Sequence, residues 1–289
     1  MKLIEPQVEL WEQEPTLEGA WHQIARATRV CYQSKPRKDE SDEAFVKRII
    51  LKPALIEGNL DDLEHCVFDF DKMHGAMLEH GTIYLTIPNN RAGKDDIDDL
   101  IHNKYTEFID TNDGFTYITT NMRVIVENYL EYLLNDYLSP RTVHISRYTF
   151  SVITDIGVTR EFNRHRKFSV AEQSTRYCDF SKDKFGSELT YMLPQWFMGS
   201  NKIVEEEYKT YAATLESIEN SYKKLRKLGW KPEQARQILP LDLKTQAVYT
   251  AFVDDWQHFI KLRADNVSGK VHPNMKIIAD KIKELFNNK

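Results

Sequence analysis

Residues 164–177 read RHRKFSVAEQSTRY: Arg164, His165 and Arg166 stand side by side, and Glu172, Ser174 and Arg176 follow at every second position. Cationic groups in a row are costly to bury, because each charge taken out of water needs a partner. On a solvated face they would contribute little. The strip therefore favours folds that hold 164–177 at the edge of a ligand cavity. Arginine offers a planar fork that grips phosphate at two points, so several arginines converging on one place imply a phosphorylated, planar ligand. An extended backbone from 172 onward aims Glu172 and Ser174 to the same side.

The rest of the chain is compatible with a folded enzyme. Its 289 residues allow one large domain or two small ones, and 41% hydrophobic with 11% aromatic residues suffice for a sizeable core. A net charge of −5 argues against nucleic acid as the main partner, so the positive charge that matters is local. The three cysteines, Cys31, Cys66 and Cys178, are odd in number and lack paired spacing, which points away from a disulfide framework and from a metal site. The first residues contain no apolar signal core and no stretch approaches membrane-spanning length, so a soluble, cytoplasmic protein with no membrane partner is expected.

Hydrophobic periodicity predicts helices over 17–31, 61–80 (stopping at Gly81), 121–137, 203–228 (closed by Gly229), 243–264 and from Pro273 onward. The apolar run 83–87 ends at the turn signal Pro88-Asn89-Asn90, and 144–152 alternates as a strand. Asp155 is placed to cap a helix bearing Ile156, Val158 and Phe162 that ends near His165-Arg166, leaving 167–180 extended or looped. Residues 88–115 are unusually polar and read as a surface insertion with a short helix, and a single domain with an insertion near 88–135 is expected. The fold class is α+β, with helices packed around a modest antiparallel sheet.

The strip resembles the signature of the flavin-dependent thymidylate synthases: Arg164-His165-Arg166, seven residues, then Ser174, with Ser169, Glu172 and Arg176-Tyr177 at the expected offsets. The resemblance extends to Ala235-Arg236-Gln237-Ile238-Leu239-Pro240, Thr245 and Leu262-Arg263-Ala264-Asp265, to 25–34 (ARATRVCYQS), and to Ser139-Pro140 with His144. It covers most of the chain outside roughly 35–75 and 88–135. It implies reductive methylation of dUMP to dTMP, with methylenetetrahydrofolate as carbon donor and FAD re-reduced by NADPH, in a homotetramer that completes each site from several subunits.

Residue by residue, the resemblance assigns FAD contacts to Arg164, His165, Arg166, Glu172 and His258, with Ser139 as a further flavin candidate. Glu161, Arg164, Glu172, Ser174, Arg176, Arg236 and Arg263 fall to dUMP, Ser174 and Arg176 at its phosphate. Arg263 and Ser174 stand closest to the chemistry. A guanidinium beside the uracil imide favours its ionised form. Ser174, with no base at hand, binds and orients rather than attacks. The chain departs from the family pattern at Glu161 (often Gln), Ala171 (often Asn), Thr82 (a His after His80-Gly81) and Phe252 and Asp254 (usually Asn and Arg near the flavin). Glu161 raises a rival reading, flavin-dependent hydroxymethylation of dUMP or a related pyrimidine modification. The departures at 252 and 254 raise another, a nucleotide-binding homologue that has lost catalysis. A cysteine-dependent thymidylate synthase would need an activated thiol in a Pro-Cys-His setting, which Cys31, Cys66 and Cys178 all lack.

Overall fold

The computed structural model describes residues 1–182, 188–198, 205–267 and 269–289. The first half contains β1 (Lys2–Ile4), β2 (Gln7–Trp11), α1 (Leu17–Tyr32), α2 (Asp42–Val46), β3 (Leu55–Glu57), β4 (Val67–Phe68), β5 (Thr82–Pro88), α3 (Arg91–Ile101), β6 (Glu107–Asp110), β7 (Phe115–Asn121), α4 (Met122–Glu127) and α5 (Tyr132–Tyr137). The second half contains β8 (Arg147–Asp155), α6 (Ile156–Phe162), β9 (Ser169–Glu172), β10 (Thr190–Met192), α7 (Glu205–Lys227), α8 (Pro232–Ala235), β11 (Lys244–Phe252), α9 (Val253–Arg263) and α10 (Pro273–Asn287).

The central sheet has the order β2-β8-β11-β9, all neighbours antiparallel, with Arg147 opposite Phe252 and Ala247 opposite Glu172. One face carries Phe150, Val152, Ala247, Tyr249 and Ala251 and packs on Phe162 of α6, Trp256 and Phe259 of α9, and Met275, Ile278 and Ile282 of α10. The other face, through Val248 and Ala171, meets Ala20, Ile24 and Ala27 of α1. A second antiparallel sheet, β5-β7-β6, shares that second core through Ile83, Leu85 and Ile118. It includes the end of the polar segment 88–135. The chain returns beside its point of departure, where Leu138 bridges Leu85. The α+β class with an antiparallel sheet is as expected. Among the described residues no helix is long and apolar enough to cross a membrane.

Several local expectations hold. Thr16 caps α1 by accepting the Gly19 N–H at 3.0 Å, and Asp155 caps α6 by accepting the Val158 N–H at 2.7 Å. Gly229 (φ +94°) ends the turn after α7, whose expected start at 203 lies outside the described residues.

Others are corrected. Residues 244–252 are not the first half of a long helix but strand β11, covered on both faces so that period-two alternation is hidden. Residues 61–80 form a succession of 3₁₀ turns broken by β4, which pairs with β3. The helix expected over 121–137 splits into α4 and α5, because Tyr129 takes a left-handed conformation at φ +58°. The helix ahead of the arginine strip ends at Phe162 rather than near 165, although the His165 N–H still reaches the Phe162 carbonyl at 2.9 Å.

Candidate active site

The strip begins where α6 stops. Successive turns, with Arg164 N–H to Glu161 O (3.3 Å), His165 N–H to Phe162 O and Phe168 N–H to His165 O (3.1 Å), carry the chain from α6 into β9. Arg164, Arg166 and Lys167 are exposed here. Opposite stands α9, entered directly from β11. Phe162, fully buried, ties the two sides together: its ring stacks on Tyr249 of β11 at 4.2 Å and on Phe259 of α9 at 4.6 Å.

Between them lies a cavity of about 490 Å³. Residues 164–168 line one wall, and Asp255, His258, Leu262 and Arg263 of α9 line the other. Four of these side chains are arginine or lysine, and Phe168 adds an aromatic surface, so the cavity suits an anionic ligand with a flat ring. Three assigned residues, Arg164, His165 and Arg166, thus meet two more, His258 and Arg263, that follow them by about ninety residues in the sequence.

Arg263 is held from several directions. Its Nη1 donates to Glu161 Oε2 at 3.1 Å, its Nη2 to the Glu161 carbonyl at 3.5 Å, and its Nε to His165 Nε2 at 3.3 Å. His165 must be neutral at Nε2 to accept that bond. Burial pushes its pKa down to about 4, aided by the nearby charges of Arg263 and His258.

A second group of assigned residues follows β9, a strand whose four residues span about 13 Å. Glu172 Oε1 accepts from Thr159 Oγ1 of α6 at 2.9 Å and from Thr245 Oγ1 of β11 at 3.1 Å. Burial raises the Glu172 carboxyl above its ordinary range, against the opposing pull of those two hydroxyls and of Arg160. Ser174 Oγ accepts the Arg176 backbone N–H at 3.2 Å, and Arg236 Nη1 donates to Thr175 Oγ1 at 3.1 Å. Arg176 and Arg236 make no ion pair among the described residues, which leaves both guanidinium charges free for an anion.

Ser139 is not part of the cavity wall. Its N–H donates to Tyr84 O at 3.2 Å, and its carbonyl accepts from Thr86 Oγ1 at 2.6 Å. Phe252 is buried beneath the Arg147 guanidinium, 5.4 Å from the ring centre, and Asp254 is exposed on the first turn of α9. Sequence reasoning missed Asp255, which nothing but its place in an acidic first turn distinguishes, and the Thr159 hydroxyl on Glu172. Thr245 had been noted only by its spacing. The cysteines are free, and burial pushes the Cys31 thiol up to about 11 and raises that of Cys66, the opposite of an activated nucleophile.

The family described as thymidylate synthase complementing protein matches residues 94–289. A flavin-dependent thymidylate synthase of Thermosipho melanesiensis is 35% identical over 180 residues, covering 56% of this chain and 72% of that protein. Another, of Thermosipho africanus, is 35% identical over 126 residues, covering 41% of this chain and 55% of its own length. The chain thus spans about half of the second relative. Among solved structures, a UMP/dUMP methylase from Streptomyces cacaoi bound with 5-Br dUMP aligns over 100% of this chain and 93% of its own, at 14% identity and a TM-score of 0.45. With the matched region covering more than half of its length, the chain belongs to the thymidylate synthase complementing protein family, that of the flavin-dependent thymidylate synthases.

Proposed function

We propose that this protein converts dUMP to dTMP by reductive methylation, taking the carbon from methylenetetrahydrofolate and using FAD reduced by NADPH. The observation that carries the reading is the convergence of Arg164, His165, Arg166, His258 and Arg263 on one cavity. The donor set fits a flavin dinucleotide: Arg164, Arg166 and Lys167 suit its pyrophosphate, while Phe168 and His258 suit flat rings. Arg164, His165, Arg166, Glu172 and His258 would hold the cofactor, with Ser139 added from a different part of the assembly. When bound, the flavin supplies the hydride.

The protein's own part is binding and electrostatic orientation. Ser174, Arg176 and Arg236 would take the nucleotide phosphate, with Glu172 and Arg164 beside them and Glu161 and Arg263 at the base. Arg263 and Ser174 are the residues closest to the reacting atoms, Ser174 as an orienting hydroxyl. The two residue groups lie at opposite ends of β9, so one chain encloses neither ligand fully. This supports a homotetramer with sites at subunit interfaces. The same reading takes the chain as one domain with an insertion near 88–135, working in the cytoplasm.

The Glu161–Arg263 contact favours a second reading, in which the product is a hydroxymethylated pyrimidine nucleotide. Mass analysis of the product formed from dUMP, methylenetetrahydrofolate and NADPH decides between them. A methyl increment supports the synthase, a hydroxymethyl increment the rival, and unchanged dUMP with the nucleotide still bound a homologue without catalysis.

A further inference from the structure

Arg263 is the one guanidinium of the cavity that already has a carboxylate partner. Its ion pair with Glu161 measures 3.1 Å, and both side chains are only partly exposed, 21% for Arg263 and 29% for Glu161. The two residues come from different elements, α6 and α9, and the Phe162 stack fixes those elements against each other. The other charged groups at the cavity are Arg164, Arg166 and Lys167 on the strip, and Asp255 on α9, which pairs with Lys167 at 3.4 Å. His165 and His258 complete the titratable set.

We propose that Glu161 sets the protonation state in which the site takes its pyrimidine: paired with Arg263, it selects a base that keeps the hydrogen on N3. This rests on the reading that Arg263 faces the base. A lone guanidinium beside an imide lowers the imide's pKa by roughly one to three pH units. A carboxylate in contact with that guanidinium opposes its field at the base. The pair therefore offers an acceptor and a donor side by side: the carboxylate receives the N3 hydrogen, and the guanidinium donates to the neighbouring carbonyl oxygen. An ionised base has no N3 hydrogen to give and would set its negative charge against Glu161.

Glu161→Gln keeps the size and the acceptor oxygen but removes the charge. The probe is 5-fluorodeoxyuridine monophosphate, whose N3 ionises near neutrality with a change in absorbance. Its binding and its bound-state N3 titration are followed from mildly acid to mildly alkaline pH. In the wild type, affinity should fall as pH rises through the free ligand's N3 pKa. In Glu161→Gln the bound N3 pKa should drop by about one pH unit, roughly a tenfold gain in the ionised fraction. Glu161→Asp, which keeps the charge, should behave as the wild type. Identical N3 titrations in the wild type and Glu161→Gln, with the nucleotide bound by both, overturn the inference and leave the proposed function standing. Failure of the wild type to bind the nucleotide overturns both.

Discussion

Phe162 is the side chain through which the core positions the candidate site. It is fully buried, and its ring lies nearly parallel to two others, 17° from Tyr249 and 16° from Phe259. Glu161 precedes it, Arg164 and His165 follow within one turn, and Phe259 is flanked by His258. Phe162→Leu keeps an apolar side chain but ends both stacks. Each aromatic pair contributes about 0.5–1.5 kcal/mol beyond its buried area. The two together, with the void left by the smaller side chain, give a destabilisation of roughly 2–4 kcal/mol. Urea unfolding followed by circular dichroism should show a lower midpoint at an unchanged slope. Loosening α6 against α9 should also separate Arg164 and His165 from His258 and Arg263, so FAD retention should fall more than secondary structure does. A midpoint within about 0.5 kcal/mol of the wild type, the range of an ordinary surface substitution, would refute the idea that this stack holds the two walls of the cavity together.

Two further predictions concern buried groups. Because the Glu172 carboxyl is raised by burial, it contributes stability that is fully present below the ordinary glutamate range and is lost as pH rises through its elevated folded value. Glu172→Gln should therefore remove part of the pH dependence of unfolding in that window, and an unaltered stability–pH profile would contradict the assignment. Gly81 packs so tightly on α1 that an added Cβ would lie 2.6 Å from Ile24 Cδ1 and 3.0 Å from the Ala20 carbonyl. Gly81→Ala should lower the unfolding midpoint by about 1–3 kcal/mol, the range for overpacking, and a neutral result would show that α1 gives way freely.

How much of the site could be read in advance depended on how local it was. Arg164, His165, Arg166, Glu172 and Ser174 lie within eleven residues, so their pattern survived as a contiguous motif, and the cap at Asp155 was visible because capping chemistry is local. The Glu161–Arg263 pair joins residues 102 apart, a distance at which spacing carries no information. Strand β11 was misread because Ala247, Tyr249 and Ala251 face one core and Val248 the other, while Thr250 is also buried, hydrogen-bonded to His80 and Thr149. A strand buried on both faces presents a continuous apolar run that a helix could equally carry. The break at Tyr129 had no glycine or proline to announce it, and residues 61–80 bury Phe68, Met73, Met77 and Leu78 through tertiary packing rather than a helical stripe.

The central claim, that this cavity runs flavin chemistry on dUMP, is tested most directly by the absorbance spectrum of the purified protein supplied with FAD. NADPH is then added with and without dUMP. The account predicts a bound-flavin spectrum that bleaches faster when dUMP is present. A protein that retains no flavin even after FAD is added would contradict it, and would mean that Phe252 and Asp254 have removed the cofactor site.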